Sequence, residues 1–179
     1  FETFFEERRP FFTEGAKVFG NFGRSGASEY WGFFRPEPTL FYSRRIGRAP
    51  QVKVNSTYLD VPATTTILGA AKLVGRTRGR WTLGALDAVT GHEHARVSDG
   101  LQSGRAMVEP LTNYAVLRAQ RELGRRGAIG LLGTSVIRDV SDPALAALLP
   151  GRALMLGVDG HVFFDSARGV DVPTQHRRL

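Results

Sequence analysis

Six polar side chains, Lys72, Asp87, Arg118, Glu122, Asp159 and His161, lie in stretches where apolar and polar residues alternate. On the inside of a barrel they would form a lumen set that tunes what passes, and a carboxylate beside His161 would have the parts for acid-base work. Their charges nearly cancel, and the favoured reading is a paired polar network filling a narrow interior. A second set is Glu14 with Arg44, Arg45 and Arg48. A carboxylate facing arginines can hold an anionic or sugar-like ligand through charge-assisted hydrogen bonds, or act as a structural ion network against a barrel rim. In a regular strand Arg44 and Arg45 point to opposite sides, so only one of them can face Glu14.

A third set, His92, Glu93 and His94, carries two imidazoles one residue apart. No further ligand follows at metal-site spacing, so the set reads as a solvated loop with no metal. Glycoside hydrolysis needs two carboxylates flanking one bond, and the 17 acidic residues offer many pairs without singling one out. Neither a nucleophile elbow nor a phosphate-cradling glycine loop occurs, and no cofactor is implied.

Those side chains need elements to carry them. Thr65 to Thr90, TTILGAAKLVGRTRGRWTLGALDAVT, reads as two strands about a Gly79-Arg80 turn. A two-residue loop there pairs Lys72 with Asp87 on one face, and Leu73 with Leu86 and Ala71 with Ala88 on the other. A second hairpin, NYAVLRAQRELG and GAIGLLGTSVIRD, turns at Arg125-Arg126. That turn sets Ala128, Gly130, Leu132, Thr134 and Val136 on the apolar side and gathers Arg118 with Ser135 on the polar side; a helix over AVLRAQRELGRR is the competing reading. In RALMLGVDGHVFF, Leu154, Leu156, Val158, Val162 and Phe164 share one face, while Asp159 and His161 join Ala153, Met155 and Gly157 on the other. LFYSRRIGR from Leu40 is a further predicted strand, Arg48 to Ala63 and Gly91 to Thr112 are predicted loops, and DPALAALL carries a helix cap followed by proline.

Composition narrows the class. The chain has no cysteine, which removes disulfide frameworks and thiolate chemistry. No apolar run approaches the ~20 residues of a spanning helix, whereas a spanning strand needs only ~10. The charge of +7 favours anionic partners. Nucleic acid is not expected, because the strands lack aromatic stacking platforms with basic neighbours. Arginines in RTRGRW and GRRG suit lipid head groups, with Trp81 as an interfacial anchor. Short basic turns alternating with long connections fit an outer-membrane barrel, and equally a soluble antiparallel barrel or sandwich. The opening FETFFEERRPFF lacks a start-like pattern and reads as part of something longer.

The strings RRPFFTEG, LFYSRRIGR, TTILGAAKLVGRT, VEPLTNY and IRD resemble the bacterial family called domain of unknown function 5916. The resemblance implies an outer-membrane-type barrel region in a Gram-negative cell, an upstream family-nine carbohydrate-binding module, and a membrane-associated hydrolase label with no catalytic residues to carry over. The combined expectation is an all-β antiparallel meander of hairpins, six or seven strands of an outer-membrane-type β-barrel, with a short helix in one loop. Residues 1–39 form a Phe/Gly-rich opening segment of loops and short strands, and 40–179 the barrel segment. The expected role is anchoring, surface display or ligand passage at the bacterial outer membrane. Outer-membrane lipid or lipopolysaccharide is the expected partner, with carbohydrate bound through the upstream module. A glycan hydrolase and a soluble β-rich binding module are the alternatives.

Overall fold

The computed structural model describes residues 6–20, 22, 40–100, 102–124 and 127–162. Two short helices, α1 (Pro10–Thr13) and α2 (Ala16–Gly20), stand in the opening segment expected to hold loops and short strands, and a 3-10 turn covers Ser43–Arg45. The strands are β1 (Tyr58–Asp60), β2 (Ile67–Arg76), β3 (Trp81–Thr90), β4 (Glu93–Ser98), β5 (Ser103–Glu109), β6 (Thr112–Leu123), β7 (Gly127–Arg138) and β8 (Arg152–Val162), with α3 (Pro143–Leu148) before the last. They form two antiparallel sheets, β2-β3-β6-β7-β8 and β1-β4-β5. Both sheets are open among the described residues, which form an all-β architecture with few short helices and do not themselves close a barrel.

The first hairpin is real but its register is one residue away from the expected one. Arg80 N–H donates to the Thr77 carbonyl at 3.1 Å, Thr77 N–H donates to Trp81 at 2.8 Å, and Arg80 takes a left-handed φ of 60°. This is a three-residue loop, a turn followed by one left-handed residue, in place of a two-residue one. The extra residue pairs Lys72 with Leu86 and Ala71 with Asp87, which places Lys72 and Asp87 on opposite faces. The second hairpin shifts the same way: Leu123 pairs with Gly127 and Glu122 with Ala128. Arg118 therefore shares its face with Leu132, while Ser135 sits opposite Ala115 on the other side. The tract from Thr112 to Leu123 is strand, not helix.

One face of the five-stranded sheet, called inner here, is covered. Leu86, Ala88, Tyr114, Val116 and Leu132 pack there against Phe12, Phe19, Phe22 and Ile46. Glycines make the approach possible: a Cβ at Gly84 would come within 2.8 Å of Val18 and 2.9 Å of Phe19.

Leu40 to Arg48 is not a strand. The Arg9 guanidinium donates to the carbonyls of Ile46 (2.7 Å) and Ser43 (3.0 Å), and Gly47 turns the chain with a φ of 77°. Gly91 to Thr112 is also no loop, since β4 and β5 occupy it around a turn at Asp99-Gly100. Ala95, Val108, Val52 and the buried Leu145 of α3 form a second core. As expected, α3 starts at Asp142, whose carboxylate accepts the Ala144 N–H, with Pro143 following. The two long connections thus fold together at one end of the large sheet, and the turn after Thr77 and the Leu123–Gly127 end of the second hairpin lie at the other.

Candidate functional site

Five of the six lumen candidates, Lys72, Arg118, Glu122, Asp159 and His161, fall on the inner face, and Asp87 does not. Arg118 of β6 and Asp159 of β8 reach each other across β7 in a two-pronged ion pair, 2.5 and 2.8 Å. The Arg118 side chain is 1% exposed and lies 5.5 Å from the Phe22 ring. Its Nε is buried without a hydrogen-bond partner. A charge so placed has lost its hydration, and its attraction to Asp159 does little more than offset that loss. His161 follows two residues along the same face, opposite Ala128.

The other three are engaged separately. Lys72 donates to the carbonyls of Phe11 and Glu14, and its ammonium lies 4.9 Å from the Phe11 ring centre, so it clamps the N-terminal segment and does not pair with Asp87. Asp87 accepts two 3.1 Å hydrogen bonds from Asn113 on the uncovered face. Glu122 pairs with Arg76 at 2.7 Å near the short turns, where both are well exposed. Asp87, Glu122 and Asp159 therefore do not flank a common bond as a glycosidase pair would.

The arginine set is reorganised around a carboxylate the sequence reading missed. Glu14 meets Lys72 through its backbone carbonyl, whereas Glu7 receives Arg9 at 2.7 and 2.9 Å and the Ser43 hydroxyl at 2.6 Å. The Arg9 hydrogen bonds hold the Glu7 carboxyl at about 2, with the Ser43 hydroxyl also lowering it and burial opposing. Arg44 donates to the Glu6 carbonyl at 2.8 Å. Arg45 lines a largely apolar cavity of about 140 Å³ with Phe41, Tyr42, Tyr114, Val136 and Met155. The Arg48 carbonyl accepts the Thr65 N–H and hydroxyl, and its charge, with that of Arg138, opposes the upward push that burial gives the Tyr114 phenol. Close by, Glu109 is 1% exposed and accepts the Gln51 N–H at 2.8 Å, tying the connection before β1 to β5.

His92 and Glu93 serve the backbone: His92 Nδ1 accepts the Leu111 N–H at 3.2 Å and Glu93 the Thr66 N–H at 2.7 Å. His94 lies exposed on β4. Among the described residues no group of three or more His, Cys, Asp or Glu converges on one point. In Glu7 and Glu109 sequence reasoning missed the two carboxylates that tie segments together; the EERRP string was the available signal for the first, and nothing in pattern marked the second.

The model of the family described as domain of unknown function (DUF5916) matches residues 1–148 of the 179. The chain belongs to the DUF5916 family. This membership agrees with the resemblance carried by the RRPFFTEG to VEPLTNY strings. No curated protein and no solved structure matches the chain. Among the described residues no helix is long and apolar enough to cross a membrane, which leaves strands as the elements to weigh.

Proposed function

We propose that this DUF5916 chain is a wall segment of an outer-membrane β-barrel whose role is to anchor its parent protein. The observation that carries the reading is the outer face of the large sheet. Two complete rows across it, Leu73-Ala85-Leu117-Gly133-Leu156 and Gly75-Leu83-Ala119-Leu131-Val158, contain no polar side chain. Leu73, Leu117 and Leu156 are 74%, 65% and 74% exposed. Apolar surface of that extent on a monomer in water marks a contact with something apolar.

The polar groups mark its margins. Asp87 with Asn113 bounds the band on one side, and Arg121, 5.5 Å from the Trp81 ring, bounds it on the other. On β8 the outer positions stay apolar from Leu154 to Val162 beyond Arg152. Leu154 to Val162 spans about 27 Å along the strand, or about 21 Å of height after a tilt of ~40°, most of the ~25 Å lipid-facing band of a barrel. The edges of β2 and β8, unpaired among the described residues, are where further strands would close the wall. Anionic lipid head groups suit the short-turn end, where Arg80 precedes Trp81 and Arg121 lies 5.5 Å from its ring. Phase separation of the natively expressed protein in a cloud-point detergent tests the reading: recovery in the detergent phase supports it, and recovery in the aqueous phase refutes it.

A further inference from the structure

The inner face raises a question that lipid contact on the outer face does not answer: what its covering segment does. Residues 6–20 and Phe22 lie over the sheet with α1 and α2, burying Phe12, Phe19 and Phe22 to 6%, 3% and 8% exposure. Two glycines are the seats. A Cβ at Gly84 would press on Val18 and Phe19, and one at Gly157 would collide with the Phe22 ring and Leu40. A glycine in a strand weakens it, so these two positions sacrifice strand stability for close approach of the segment. The clamps are polar: Lys72 holds the Phe11 and Glu14 carbonyls, Arg9 holds those of Ser43 and Ile46, the Ser43 hydroxyl donates to the Glu7 carboxylate, and Arg44 donates to the Glu6 carbonyl.

Beneath Phe22 lies the Arg118–Asp159 pair, with a buried and unpartnered Arg118 Nε. An ion pair is a poor foundation for a permanent core, because covering it strips hydration that its own attraction barely replaces. Were the segment lifted, water would restore that hydration. The seated state is thus held by aromatic burial and opposed by the charges under it, which is the balance of a displaceable part.

We infer that residues 6–20 with Phe22 are a plug seated on the lumen wall, occluding the barrel and able to leave its two glycine seats. The inference rests on the barrel reading, so its test reads insertion and occlusion separately. The chain has no cysteine, so Val18→Cys with Gly84→Cys introduces one defined disulfide at a site where a Cβ on residue 84 would lie 2.8 Å from Val18 Cγ1. The natively expressed protein carrying this pair is reconstituted, its insertion scored by co-flotation with liposomes, and its conductance recorded in planar bilayers. Gly157→Val, whose added side chain competes with Phe22, is the released counterpart.

The expected result is silence when oxidised, at least tenfold more open time after reduction, and sustained conductance for Gly157→Val. Inserted protein that conducts equally in all three states overturns the plug and leaves the barrel reading standing. Failure of the unsubstituted protein to float with liposomes overturns both. Should Gly157→Val not fold, the oxidised and reduced forms of the cysteine pair decide the matter alone.

Discussion

Arg118 and Asp159 are bound to each other over Gly130, the residue of the intervening strand that pairs with Asp159. A Cβ at Gly130 would lie 2.5 Å from Asp159 Oδ1 and 2.8 Å from both terminal nitrogens of Arg118. The ion pair exists because the strand between its partners has no side chain at that point. Gly130→Ala is therefore expected to destabilise the fold by about 3 kcal/mol, the cost of separating a buried pair. Gly133→Ala is the control, since its nearest neighbour would be at an ordinary 3.7 Å. Denaturant midpoints compare them, and equal midpoints would show that the pair does not depend on the missing side chain.

The same pair predicts a non-additive cycle. Asp159→Asn leaves the nearly inaccessible Arg118 without its counter-charge and is expected to cost about 3–5 kcal/mol. Arg118→Met combined with Asp159→Leu removes both charges and is expected to regain most of that loss. A double variant as unstable as the sum of the singles would mean that the pair itself, and not relief from an orphaned charge, supplies the stability.

Arg80 is the single non-glycine residue with a positive φ among the described residues. Its left-handed backbone crowds Cβ against the chain at a cost of about 1–2 kcal/mol. Arg80→Gly should accordingly stabilise the hairpin by about 1 kcal/mol, less the extra freedom glycine gives the unfolded chain. Thermal unfolding reads the change. A clear loss of stability would assign the Arg80 side chain a contact worth more than the strain.

Glu7 makes the attachment of the N-terminal segment sensitive to acid. Its carboxyl is held at about 2 by Arg9 and Ser43, below the ordinary carboxylate value of 4.5. A lowered carboxyl contributes stability that is fully present above the unfolded value and lost as pH falls through the folded one. Stability should thus decline from about pH 4.5 toward pH 2, and Glu7→Gln should flatten this part of the profile. A variant that follows the unsubstituted curve over that range would remove Glu7 from the anchoring of Ser43.

The sequence showed some of this plainly and hid the rest for definable reasons. The faces of β8 were legible because Leu154, Leu156 and Val158 alternate without interruption, and α3 because Asp142 and Pro143 are strong start signals. Register was not legible: whether a loop around Gly79 has two or three residues depends on one left-handed arginine, and that single residue moved Lys72 away from Asp87. Leu40 to Arg48 has strand-like composition, yet Arg9, over thirty positions earlier, claims the carbonyls a strand partner would need. The β4-β5 hairpin was masked by serines and arginines, although Asp99-Gly100 between alternating Ala95/Val97 and Ala106/Val108 was a usable sign. Five of the six polar residues grouped by the alternation share the inner face and Asp87 does not, while their individual partners come from long-range contacts that no local pattern encodes.

The membrane wall is most directly tested by where a probe on its outer face resides. With no native cysteine, a single nitroxide can be placed at Leu117, Leu131 or Asn113 of the natively expressed protein in liposomes. The account predicts that spin labels at Leu117 and Leu131 collide with oxygen dissolved in lipid and are shielded from a water-soluble nickel chelate, with chelate access rising at Asn113 beside Asp87. Free access of the nickel chelate at Leu117 and Leu131 would place this face in water or against protein, and would contradict the barrel wall.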